Sequence, residues 1–139
     1  MKILCLSRAP LDFKGGIPTY CLNLYGNNKF EVISYSYDLS KKLRRKEKRT
    51  IQDIQEIIFP SEIIFGTLAI STSYFFAILA NSKNFNVIHI QHPDPFSSIC
   101  SILTKIKNPN IKLIVTWHAD IYSSYLLFSP ILIFIDFKM

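Results

Sequence analysis

Short apolar runs that stop at polar, glycine or proline residues recur along this chain, most of them followed by a segment with helical spacing. That alternation constrains the fold more than any other feature. Ile3 to Leu6 halts at Ser7, Arg8, Ala9 and Pro10, as a buried strand does on leaving a parallel sheet. Asp12 to Gly16 makes a loop with a Gly-Gly pair, and Pro18 suits the first turn of a helix, where its missing N–H costs nothing. Ile17, Cys21, Leu24 and Tyr25 form one helical stripe, closed by Gly26, Asn27 and Asn28. Phe30 to Tyr37, rich in β-branched and aromatic residues, predicts a second strand, and the basic stretch after it reads as a loop or the start of a helix. Pro60 breaks Ile57 to Phe65 into short strands at most. Ser73 to Leu79 predicts a helix. Asn86 to Gln91 predicts a strand that runs into His92, Pro93, Asp94 and Pro95, with Asp94 as the N-cap of a helix from Pro95 to about Ile106. After the turn at Asn108, Pro109 and Asn110, Ile111 to Trp117 predicts a further strand ending in His118, Ala119 and Asp120.

Strands alternating with helices call for an α/β fold, a Rossmann-like parallel sheet flanked by helices. The 139 residues make a single domain, large enough to hold a core without a disulfide or metal staple. In such sheets ligands sit at the carboxyl ends of the strands. Three loops meet that description, Ser7 to Gly16, Gln91 to Asp94, and His118 to Asp120.

The net charge of +6 is local. Lys41, Lys42, Arg44, Arg45, Lys46, Lys48 and Arg49 stand against Glu47, and the remaining nine basic and nine acidic residues balance. Nucleic-acid binding is not expected, because a DNA-coating protein spreads its basic residues over a face. The run has only Leu43 as an apolar anchor, so it cannot insert in a bilayer as an amphipathic helix does. It reads either as a solvated loop or as a contact by charge with an anionic membrane through Lys41, Lys42, Arg44, Arg45 and Lys46. Cys5, Cys21 and Cys100 are odd in number and far apart, which fits a reducing cytoplasm and implies neither a disulfide framework nor a zinc ribbon. The apolar run after Lys2 is too short for a signal peptide. Ile63 to Ser82 is long enough to span a bilayer, but Gly66, Thr67, Ser71, Thr72 and Ser73 interrupt it, and a strand, a loop and a helix are expected instead.

Four segments in order, K-I-L-C-L-S-R, K-G-G-I-P-T-Y-C-L-N-L, V-I-H-I-Q-H-P-D-P and V-T-W-H-A-D-I, resemble the N-terminal domain of GT-B glycosyltransferases of the family-4 type. The resemblance covers Met1 to about Tyr125 and implies the N-terminal half of a GT-B fold. It also implies a retaining glycosyltransferase, which moves a sugar from a nucleotide-sugar donor to a glycan or lipid-linked acceptor. Pro18 departs from the pattern, in which an acidic residue often follows G-G-I. A larger departure follows Ser129-Pro130, where the family continues into a second Rossmann-like domain, while Ile131 to Met139 is apolar and stops. A truncated product, inactive alone and partnered by a separately encoded C-terminal domain, is the expectation. The family's donor-binding glutamate pair belongs to that second domain; Glu31, Glu47, Glu56 and Glu62 include no pair seven residues apart.

Gly15 and Gly16 let the backbone approach a ligand, and a helix N-terminus offers N–H groups to a phosphate. The same pair could equally be a tight turn; the resemblance places it beside the donor's diphosphate. His118, past a strand end beside Asp120, could donate to a sugar hydroxyl or a leaving phosphate, or could simply cap the loop or pack on Trp117. The resemblance places it near the transferred sugar, as the catalytic candidate. His89 and His92 are three apart and should point to opposite strand faces, so no metal site is expected and no cofactor is implied. His92 and Asp94 are expected to line the cleft, His89 to be a buried strand residue, and Tyr20, Tyr122 and Tyr125 to flank the acceptor or pack in the core. No G-x-S-x-G signature is present, which argues against a hydrolase. The competing reading is a non-catalytic Rossmann-like module that docks on an anionic membrane or on a partner subunit. The expected location is the cytoplasm, peripheral on the inner face of the membrane if the basic run docks.

Overall fold

A computed structural model describes residues 1–26, 29–40, 42–65 and 68–118. Six strands, β1 (Lys2–Leu6), β2 (Glu31–Tyr37), β3 (Glu47–Ile51), β4 (Ile54–Phe59), β7 (Val87–His92) and β8 (Lys112–Trp117), form one sheet in the order β3-β4-β2-β1-β7-β8. β3 runs antiparallel to β4; every other pair is parallel. A two-stranded hairpin, β5 (Ile63–Phe65) and β6 (Leu68–Ile70), follows β4. Three helices, α1 (Gly16–Tyr25), α2 (Thr72–Asn81) and α3 (Pro95–Lys107), flank the sheet, which is the Rossmann-like α/β arrangement that the alternation predicts.

Strand alternation sorts the core into two layers. Leu4, Leu6, Tyr35, Tyr37, Ile88 and Ile90 face α2 and α3, where they pack with Tyr74, Ile78 and Cys100. Ile3, Cys5, Val32 and Val87 face the other way and pack with Cys21 and Tyr25 of α1. The α1 face is the polar one. Register puts Ser34 beside Cys5 and Glu56 beside Ser34, and His89 and Gln91 beside Ile114 and Thr116. The sheet changes direction of travel at β1, since the chain goes from β1 to β2 on one side and later returns to β7 on the other.

Helix boundaries follow the sequence signals. α1 opens at Gly16 with Pro18 in its first turn, Ser71 caps α2 by accepting the Tyr74 N–H, and Asp94 caps α3 by accepting the Ser97 N–H. Residues 63–82 fold as hairpin and helix, and among the described residues no helix is long and apolar enough to cross a membrane. One expectation is overturned. The end of the basic stretch is neither loop nor helix but the edge strand β3, turned back onto β4 through Gln52 and Asp53, both at positive φ. Paired charges and exposed lysines suit such an edge, because they blunt further strand addition.

Candidate functional site

Three segments meet at the carboxyl ends of the strands on the α1 face. The loop after β1 is pinned first. Glu56, fully buried on β4, accepts from the Leu11 N–H at 2.8 Å, from the Ser36 hydroxyl at 3.1 Å and from Arg49 Nε at 2.7 Å. Arg49 in turn donates to both carboxylate oxygens of Asp12, so a strand pair at the sheet edge holds the loop that leads to Gly15 and Gly16. Arg49 holds the Asp12 carboxyl below its usual range by hydrogen bonding, against a smaller opposing effect of burial.

Gly15 is the N-cap of α1 in extended backbone, and as glycine it brings no side chain to cap the first N–H groups. A Cβ on Gly16 would meet open space. Five residues into the same helix, the Tyr20 ring meets His118 edge-on, with centroids 4.8 Å apart. His118 closes β8 and donates its backbone N–H to His92 O at 3.2 Å. Its Nε2 lies 2.6 Å from Oε1 of Gln91, and the Gln91 Nε2 lies 3.2 Å from Nε2 of His89 and 3.7 Å from Cys5 Sγ. His89 also bonds Thr116 Oγ1 at 2.6 Å through Nε2 and the Tyr25 hydroxyl through Nδ1. A continuous polar relay therefore runs from the half-buried His118 inward to Tyr25.

Burial, and secondarily the nearby His118, pushes the His89 imidazole down to about 4. Burial lowers His118 as well. A hydrogen bond to Cys21 and then burial push the Cys5 thiol well up, and burial pushes Cys100 up to about 12, so neither of these two thiols is activated as a nucleophile.

The structure distributes the expected site residues unevenly. Gly15, Gly16, Tyr20 and His118 are on one face. His92 points to the other, where its ring stacks on Trp117 at 5.1 Å and its Nε2 bonds Ser98 Oγ at 2.9 Å; the peptide bond to Pro93 is cis. Asp94 is fully buried. It accepts from Tyr37 at 2.6 Å and from Ser97 N–H and Oγ, so it holds the start of α3 rather than lining an open cleft. Lys42, Arg44, Arg45 and Lys46 are exposed on the loop between β2 and β3. Asp120, Tyr122, Tyr125 and Lys41 lie outside the described residues. In the sequence Gln91 stands at the head of the Gln91 to Asp94 loop and Arg49 in the basic run, but nothing there gives either of them, or Glu56, a role at the site; a lone glutamine or glutamate beside apolar strand residues is the available signal for Gln91 and Glu56. Among the described residues no cluster of three metal-ligating side chains occurs. A cavity of 650 Å³ lies at the opposite, amino ends of the strands, lined by Phe85, Asn86 and Lys112 among others, and none of the expected site residues lines it.

No family model matches the sequence, and no curated protein is similar enough to it to count as a relative.

Proposed function

We propose that this chain forms the acceptor-side wall of a two-domain GT-B glycosyltransferase, transferring a sugar from a nucleotide-sugar donor to a glycan or lipid-linked acceptor. One observation carries the reading. The edge contact of Tyr20 with His118 brings the uncapped start of α1 and the end of β8 together, on the edge of the sheet where α/β proteins bind ligands. In this reading the N–H groups of Gly16 and Ile17, ahead of Pro18, take the donor diphosphate, whose charge the helix N-terminus favours. His118 meets the transferred sugar, and a donor-binding domain supplies the facing wall. Positioning donor against acceptor provides much of the rate in such a cleft, so one wall alone should not turn over.

The test is transfer of radiolabelled sugar by the purified 139-residue chain, with and without a donor-side domain expressed from a full-length family member. Transfer only with the added domain, reduced at least tenfold by Gly16→Val, is the expected result. Transfer by the chain alone, or equal rates for Gly16→Val, overturns the reading; a Cβ at this position has room, so loss of folding is not the anticipated cause of a change.

A second reading, a non-catalytic module docking on an anionic membrane or a partner subunit, has its own support. Phe65 is 82% exposed and Ile63 is 55% exposed on the β5–β6 hairpin, which leaves the carboxyl end of β4 beside the end of β2 from which the basic loop starts.

A further inference from the structure

The relay behind His118 has a direction. Gln91 is fully buried, and its amide nitrogen faces two groups, His89 Nε2 at 3.2 Å and Cys5 Sγ at 3.7 Å. An amide NH2 only donates, so His89 Nε2 must carry a lone pair, and it accepts the Thr116 hydroxyl at 2.6 Å by the same lone pair. The His89 proton is then on Nδ1, donated to the Tyr25 hydroxyl. On the outer side the Gln91 oxygen only accepts, so the hydrogen bond of 2.6 Å requires His118 to carry its proton on Nε2. Cys5, accepting from Gln91, lies 3.8 Å from Cys21 and can pass its own S–H to that sulfur. Reversing the Gln91 amide would set its oxygen against both His89 Nε2 and Cys5 Sγ and require the opposite tautomer at His89 and at His118, so the amide orientation and the two tautomers are one linked choice.

We propose that Gln91 is a positioning residue, which holds His118 as its Nε2–H tautomer and leaves Nδ1 as an acceptor for a hydroxyl of the bound sugar. The sugar rests on the transferase reading above; the tautomer rests on the orientation of the Gln91 amide, with its oxygen toward His118. Among the described residues His118 Nδ1 has no hydrogen-bond partner, and Tyr20 packs against the ring edge-on, so the ring is held from two sides. A neutral imidazole with its only N–H engaged cannot donate to phosphate. It selects a ligand that brings its own proton, which separates the sugar from the diphosphate in the division of the site.

Imidazole nitrogen NMR of the intact chain at pH 7.5 tests this. The expected spectrum shows His118 protonated on Nε2 and His89 protonated on Nδ1. The reverse pair, or rapid averaging at His118, overturns the proposal. Gln91→Met, which keeps length and loses both polar atoms, is expected to move the two His118 nitrogens toward averaged shifts. A His118 whose shifts are unchanged in a folded Gln91→Met chain also overturns it, and the wild-type spectrum decides the matter if that variant does not fold. Adding uridine diphosphate-glucose and following the Gly15 and Gly16 amides judges the transferase reading separately. Shifts at those amides are not needed for the tautomer result, so the two can fail independently.

Discussion

Burial of His89 couples the relay to pH. Its imidazole is held down to about 4, chiefly by burial and then by His118, against 6.5 in an unfolded chain. The folded state therefore prefers the neutral ring, and the unfolded state binds more protons below 6.5. Stability is complete above that value, falls as pH drops from about 6.5 to about 4, and levels off below. The shift corresponds to a loss on the order of 3 kcal/mol. Urea midpoints at pH 7.5 and 4.5 should show this drop, and His89→Gln should flatten it; an equal drop in the variant would assign the effect to other groups. Much of this residue scale was legible from the chain alone. A histidine inside V-I-H-I-Q-H reads as a buried strand residue, and Asp94 before Pro95 reads as a helix cap. Gln91 was not legible, because its partners lie on β8 and β1 and only the register of three strands brings them together.

At the scale of elements, the β3–β4 hairpin is where local sequence and fold part company. Its turn, Gln52 and Asp53, has φ of 47° and 65°, a conformation usually announced by Asn-Gly, and Glu47 to Ile51 looks like loop because four of its five residues are polar. The pairing is set instead by a cross-strand contact. Arg49 lies directly opposite Glu56 in the register, and the buried carboxylate draws the guanidinium inward. Arg49→Met removes the cation paired with a carboxylate that has no exposed surface, and breaking such a pair should cost about 2–4 kcal/mol. Part of that loss should return in Arg49→Met with Glu56→Gln, where the remaining group is neutral. Chemical denaturation of the two single variants and the double variant measures the coupling, and additive losses would show that the pair does not act as a unit. The same contact holds Leu11 and Asp12, so Arg49→Met should also loosen the loop that ends at Gly15.

For the whole molecule, the alternation of apolar runs and helical stripes was enough to foresee a parallel Rossmann-like sheet, since only helices on both faces can cover strands as apolar as Ile3 to Leu6 and Val87 to Ile90. What it could not show is which surface gathers at the carboxyl edge. The basic loop starts at the carboxyl end of β2, the hairpin bearing Phe65 starts from that of β4, and the Asp38 N–H bonds Phe59 O at 2.8 Å to tie the two ends. Asp38 also orders the loop. Burial raises its carboxyl, but hydrogen bonds from the Leu43 N–H and the Ser40 hydroxyl and N–H outweigh that and hold it low. An anionic bilayer attracts each basic residue near it by about 1 kcal/mol, a contribution that salt screens within a Debye length of about 10 Å at 0.1 M and 3 Å at 1 M. An exposed aromatic adds an anchor that salt does not screen. Co-sedimentation with vesicles of anionic phospholipid should therefore show strong binding at low salt and a weak residue at 1 M. Changing Lys41, Lys42, Arg44 and Arg45 to glutamine lowers the net charge from +6 to +2 and should abolish the salt-sensitive part. Phe65→Ser should remove the residue left at high salt while sparing the fold, because the ring has almost no packing to lose. Binding that ignores salt, or a salt-sensitive part that survives the four glutamines, would take the basic loop out of the contact.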